Sequence, residues 1–160
     1  MNKAFLIVHM HEFYLQKALE ADRLVGSLMG AITLCKDANM PLYIGNLVLN
    51  SETEELHPML RREADKNPLA KYFYGRQGDI FMGTGLETTL RLGKIDDIII
   101  GGVYANACAK SAAKSAKLRG FGISTSPALL SDTTEEEFRK AMEYYRANGR
   151  VEDNYFRLFR

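Results

Sequence analysis

The chain has 160 residues, 46% hydrophobic and 26% charged, and 21 basic against 20 acidic residues leave a formal net charge of +1. That length suits one domain over residues 1–160 with a sizeable core, and the composition is that of an ordinary soluble protein. The charge balance excludes bulk attraction to nucleic acid or an anionic membrane, no apolar run is long enough to span a bilayer, and two cysteines, Cys35 and Cys108, make no disulfide framework.

Ala4–Val8 reads as a first strand, apolar without alternation, which suits a parallel strand covered on both faces. The run is short and lacks a small-residue cleavage site, so no signal peptide is expected and the expected location is cytoplasmic. His9-Met10-His11-Glu12-Phe13-Tyr14 follows at the strand's carboxyl end. A helix is predicted from about Lys17 to Ala38, with Val25, Leu28, Met29, Ile32 and Cys35 as its buried stripe. That stripe makes Cys35 an inert core residue, and Gly26 and Gly30 are expected to let the helix pack closely on the sheet. Asn39 ends the helix, and Pro41 opens a second strand through Gly45 that can extend to Leu49.

A charged helix is predicted within Ser51–Ala64, with Leu56, Met59 and Leu60 inward. Asp65–Gly78 reads as less regular, with Tyr72-Phe73-Tyr74 capping a pocket or sealing a subunit contact. Asp79–Met82 reads as a short extended piece, and Thr84 with Glu87 as a capping box for a helix ending at Gly93. Phe121–Thr125 is a further strand, and Thr134 with Glu137 a second capping box. The last helix has Phe138, Ala141, Met142 and Tyr145 as its stripe and stops at Gly149. Val151–Arg160 is left as an edge strand or a partner contact. The alternation of strands and helices predicts a three-layer α/β fold with a mostly parallel sheet.

The most informative stretch is Ile98 to Ala113. Ile98-Ile99-Ile100 reads as a buried parallel strand, and Gly101-Gly102 as the turn at its carboxyl end, where open α/β sheets place ligands. Asn106 is the expected N-cap, which puts Cys108 in the first turn of a helix, where unpaired N–H groups favour a thiolate. The alternative on chemistry alone is a small buried cysteine filling a gap. Lys110, Lys114 and Lys117 form the helix's wet face.

This segment resembles the cysteine signature of the isochorismatase-like hydrolases, the cysteine hydrolase or nicotinamidase-related family: a hydrophobic strand, a glycine, a short loop, a cysteine, then an alanine-rich helix ending in a glycine-aromatic pair. Here these are Ile98–Gly102, Cys108, Ala112-Ala113, Ala116 and Gly120-Phe121. The resemblance implies a Rossmann-like sheet in the order 3-2-1-4-5-6 with helices on both faces. It implies a nucleophilic role for Cys108 and a cis peptide at Val103–Tyr104, with the backbone N–H groups of Tyr104 and Cys108 holding the oxyanion. Phe81, Thr84 and Leu86 match a further family stretch, and Tyr14 falls at the family's pocket-phenylalanine position. Tyr14 and Phe81 are therefore the expected substrate contacts.

The family uses an Asp–Lys–Cys triad, and this chain keeps only the cysteine. His9 stands where the aspartate is expected, Arg76 is the nearest basic residue to the lysine position, and Lys71 is out of register. Three readings follow. In the first, the protein is a hydrolase of small amides or related C–N compounds, with His9 as base and Arg76 supplying the positive charge. His9 and Cys108 are then expected within about 3 to 5 Å of each other, with the thiol pKa below its free value of about 8.5. In the second, the chemistry is lost and the protein binds a small molecule or serves as an oligomeric partner. In the third, His9, His11, His57 and Glu12 hold a metal; this is set aside, because His57-Pro58 belongs to another segment and no ligand spacing appears. No cofactor or metal is expected. A homo-oligomer is expected, from family habit and the aromatic stretches Tyr72–Tyr74 and Tyr155–Phe159.

Overall fold

The computed structural model describes residues 1–49, 52–53 and 55–160. Its strands are β1 (Lys3–Val8), β2 (Leu42–Leu49), β3 (Glu52–Thr53), β4 (Ala70–Gly75), β5 (Asp97–Gly102), β6 (Gly122–Thr125) and β7 (Arg150–Val151). Its helices are α1 (Glu12–Leu15), α2 (Ala21–Asp37), α3 (Pro58–Ala64), α4 (Leu86–Leu92), α5 (Cys108–Leu118) and α6 (Glu135–Asn148). The parallel strands run β4-β2-β1-β5-β6-β7, which is the order 3-2-1-4-5-6 when only they are counted. Two-residue β3 pairs antiparallel with the end of β2.

Unbroken apolarity produces this sheet. Alternate side chains of one strand point to opposite faces, so a strand covered twice must be apolar throughout. Leu6, Val8, Ile98 and Ile100 join a core with α4, α5 and α6, while Phe5, Ile7 and Ile99 join one with α2 and α3. Ile98, Ile99 and Ile100 are each 0% exposed. Burying one such side chain contributes about 2 kcal/mol, which is what holds β5 at the centre. The alanine face of α5 (Ala109, Ala112, Ala113, Ala116) is wholly buried and lets that helix lie low on the sheet.

Several local expectations are corrected. The segment left irregular contains β4, paired in parallel with β2 from Ala70 to Gly75. It is an edge strand: Phe73 and Gly75 are buried while Lys71 and Tyr74 are exposed, and this mixed pattern hides it from a search for apolar runs. Asp79–Met82 is a turn, not a strand. The predicted helix within Ser51–Ala64 shrinks to α3, begun by Pro58, with Met59 48% exposed; residues 50, 51 and 54 lie outside the described residues. The first long helix starts later than expected, as α2 at Ala21, and the short α1 precedes it within the segment after β1. Thr84 does not cap α4; Gly85 does, in the left-handed region, while Thr84 Oγ1 donates to Ile80 O and accepts from Leu86 N–H. Gly26 meets nothing, and Gly30 faces the Tyr155 hydroxyl rather than the sheet. At Thr134 the N-cap half of the expected box forms, its Oγ1 accepting from Glu137 N–H at 3.1 Å, while the Glu137 carboxylate goes to Asn106 and Lys140 instead.

The C-terminal segment folds back on its own chain. Arg150–Val151 pairs with β6 as the edge strand. The 3-10 turn Tyr155–Phe159 buries Leu158 and Phe159, with Phe159 edge-on to Phe5 at 5.2 Å.

Candidate functional site

The winding reverses between β1 and β5, so the crevice at their carboxyl ends is the switch point where such sheets place ligands. Val8 pairs with Gly102 there, and an added Cβ on Gly102 would come 2.2 Å from Val8 O. His9 follows β1 and Cys108 opens α5 after the loop from β5.

Cys108 is the first residue of α5 and half-buried. Asn106 is not its cap. Ala107 holds that position without a side-chain cap, and Asn106 is drawn aside. The Asn106 N–H donates to Asp132 Oδ2 at 2.7 Å, its amide donates to Glu137 Oε2 at 2.7 Å, and its Oδ1 accepts from Lys110 at 3.2 Å. The Val103–Tyr104 peptide is cis. Tyr104 O accepts from the N–H groups of Ala107 and Ala109 at 3.0 and 3.1 Å, folding the loop into a tight turn ahead of the helix. Among the described residues the Tyr104 N–H has no acceptor, and the Cys108 N–H has none beyond its own sulfur.

Burial raises the Cys108 thiol pKa, partly offset by its own backbone N–H. This is opposite to the expected depression: desolvation of the sulfur outweighs the backbone N–H beside it. The loop after β4 lies over the sulfur, and a Cβ on Gly78 would sit 3.5 Å from Sγ. Asp79 ties that loop to α5, accepting from Ser115 Oγ through Oδ2 and from Phe81 N–H through Oδ1 at 3.0 Å.

His9 is 1% exposed, with φ at +52°, and its N–H donates to Gly45 O at 3.0 Å. Neither ring nitrogen has a hydrogen-bond partner among the described residues, so no bond joins it to Cys108. Burial first, then the neighbouring His11, lower its pKa from 6.5 to about 4. His11 itself is fixed: Nε2 accepts from Leu47 N–H at 3.1 Å, which leaves Nδ1–H to donate to Glu55 O at 3.1 Å. The two imidazoles stack with centroids 5.8 Å apart. Asn46, beside His9 on β2, is also wholly buried with both amide atoms unpartnered. The sequence reading passed over Asn46; its one signal was a polar residue inside an apolar strand run.

The other expected residues are spread around this centre. Tyr14 packs on Tyr104 with ring centroids 5.7 Å apart, and the Tyr104 hydroxyl donates to Tyr14 O at 2.7 Å. Phe81 is 5% exposed in the core, under the Arg119 guanidinium at 5.0 Å. Arg76 is exposed just past the end of β4, with no ion pair among the described residues. His57 caps α3, its Nδ1 accepting from Met59 N–H at 3.2 Å, while its own N–H donates to Met10 O at 2.9 Å. No group of three or more His, Cys, Asp or Glu among the described residues would hold a metal. No helix among the described residues is long and apolar enough to cross a membrane.

Comparison with known proteins places this arrangement. The structure is similar to the nicotinamidase from Staphylococcus aureus, with TM-score 0.85, 18% identity, and 95% of this chain and 98% of that one covered. It is similar to an isochorismatase-like hydrolase from Alkaliphilus metalliredigens, with TM-score 0.86 and 16% identity over 100% of both chains. It is also similar to the N-carbamoylsarcosine amidase from Thermoplasma acidophilum, with TM-score 0.81, 16% identity, and 95% and 96% covered. At these identities the likeness speaks to the fold. No curated protein matches the sequence. The Isochorismatase domain matches residues 3–153, nearly the whole chain, and on that match the chain belongs to the isochorismatase family.

Proposed function

We propose that the protein is a cysteine hydrolase that cleaves a small amide or related C–N compound through Cys108. The observation that carries this reading is the Cys108 turn: a thiol on the first residue of a helix, at the switch point, beside a Tyr104 N–H that no group accepts among the described residues. In a chain of this family, that is a nucleophile next to a ready oxyanion donor.

In this reading Sγ attacks the substrate carbonyl carbon, and the Tyr104 and Cys108 N–H groups hold the developing oxyanion. The thiol proton goes to the neutral His9 imidazole, by way of water, and then to the leaving nitrogen. Water hydrolyses the thioester and restores the thiol. Arg76 supplies positive charge from the end of β4, and Tyr14 and Phe81 shape the substrate side. Because the thiol pKa is raised at rest, the attack follows opening of the loop around Gly78 and loss of its shielding.

A second reading is favoured by the raised thiol and by a His9 ring with no bond to it: a family member that binds a small molecule, or assembles with copies of itself, without turnover. Exposed Phe13, Tyr74 and Phe156 suit self-association in either reading. The test that separates them is a panel of small amides assayed for ammonia release, with Cys108→Ala as control. Turnover abolished by Cys108→Ala supports the hydrolase; binding without turnover supports the second reading.

A further inference from the structure

The buried unpartnered pair at the ends of β1 and β2 has chemistry of its own. Ile7 and Ile44 pair across these strands and share one core. His9 and Asn46 lie two residues further along, their backbones brought alongside each other by the bond from His9 N–H to Gly45 O. His11 ties the same place together, with its ring stacked on His9 and its Nε2 on Leu47 N–H. His9 Nδ1 and Nε2 and Asn46 Oδ1 and Nδ2 are all buried, and none has a partner among the described residues. Buried polar groups are almost always hydrogen-bonded, to protein or to ordered water, so four such atoms on neighbouring strand ends mark a place for something else.

We propose that His9 and Asn46 form a binding site for one small uncharged molecule that both donates and accepts hydrogen bonds. Water fills it in the resting protein, and the polar group of an entering ligand takes water's place.

Donor and acceptor counts fix the chemistry. A neutral imidazole offers one N–H and one bare nitrogen, and a carboxamide offers an NH2 and a carbonyl oxygen. The His9 pKa of about 4 keeps the ring neutral near pH 7. The charged or titratable group that faces it is His11, whose two nitrogens are already engaged. A carboxylate has no donor for the bare nitrogen or for Asn46 Oδ1. A metal ion has too few ligands here. The site therefore selects neutral amide-like or hydroxyl groups and rejects anions. It deepens the hydrolase reading by naming the substrate's polar group, but its test does not pass through turnover.

The experiment is 1H–15N NMR on the intact protein, which has only three histidines to assign. Formamide and formate, equal in size and opposite in charge state, are titrated in turn. Expected are magnetisation-transfer cross-peaks between a long-lived water and the Asn46 side-chain amide. Formamide then shifts the His9 and Asn46 side-chain signals saturably, formate at least tenfold more weakly, and Asn46→Leu loses the His9 response. Water cross-peaks that persist undiminished at saturating formamide overturn the proposal, since the ligand then does not take water's place. Absence of both the water cross-peak and any saturable response overturns the proposal, as does formate acting as strongly as formamide. The wild-type titrations stand whether or not Asn46→Leu folds. Loss of hydrolase activity in every assay would leave these shifts unchanged, so the two readings fail separately.

Discussion

Gly102 and Val8 meet backbone to backbone across the seam of β1 and β5: a Cβ on Gly102 would stand 2.2 Å from Val8 O and 2.9 Å from Val8 N. With φ at +118°, Gly102 also occupies a conformation that side chains rarely adopt. That contact sets the spacing of the two strand ends that carry His9 and the Cys108 loop. Gly102→Ala is therefore expected to destabilise the protein by about 3 kcal/mol or more, through overpacking and backbone strain together. Urea unfolding reads this directly, and an unchanged midpoint would refute the close contact.

His9 makes stability depend on pH. Its pKa falls from 6.5 to about 4 on folding, so between those values the unfolded chain takes up a proton that the folded chain excludes. Stability is complete above pH 6.5 and declines as pH falls towards 4, by about 3 kcal/mol at the lower end. His9→Asn, which tolerates the positive φ, is expected to remove that slope. Unfolding curves at pH 7 and pH 4 for the two proteins provide the measurement. Equal slopes would show that His9 titrates normally in the fold.

The loop over Cys108 is tethered through Asp79 and Ser115. Removing that bond by Ser115→Ala is expected to speed iodoacetamide labelling of Cys108 about tenfold, equivalent to about 1.4 kcal/mol of easier local opening. Gly78→Ala is expected to slow it, since the new methyl lies against Sγ. Peptide mass spectrometry separates Cys108 from Cys35, which is 0% exposed and bonded to Met40 O at 3.2 Å. Rates unchanged in both variants would remove the loop from the account.

The fold was legible where both faces of an element are covered. Ala4–Val8 and Ile98–Ile100 carry their burial in their composition, and strand order followed from the family resemblance. The β4 strand was missed because an edge strand with one wet face mixes lysine and tyrosine with its buried Phe73. The cis bond at Val103–Tyr104 and the place of Cys108 in the first turn of α5 were readable from a local motif. The cap was not, because the partner that draws Asn106 away is Glu137, 31 residues later. The Asn46–His9 neighbourhood was also invisible, since it exists only once β1 and β2 pair.

The central claim is that Cys108 is the nucleophile of an amide hydrolase. Ammonia release from a panel of small neutral amides, compared between the wild type and Cys108→Ala, tests it most directly. The account predicts turnover of at least one amide by the wild type, and a fall of at least about a thousandfold in kcat/KM for the variant. Turnover that survives Cys108→Ala, or no turnover together with Cys108 labelling no faster than a free thiol in every loop variant, would contradict it.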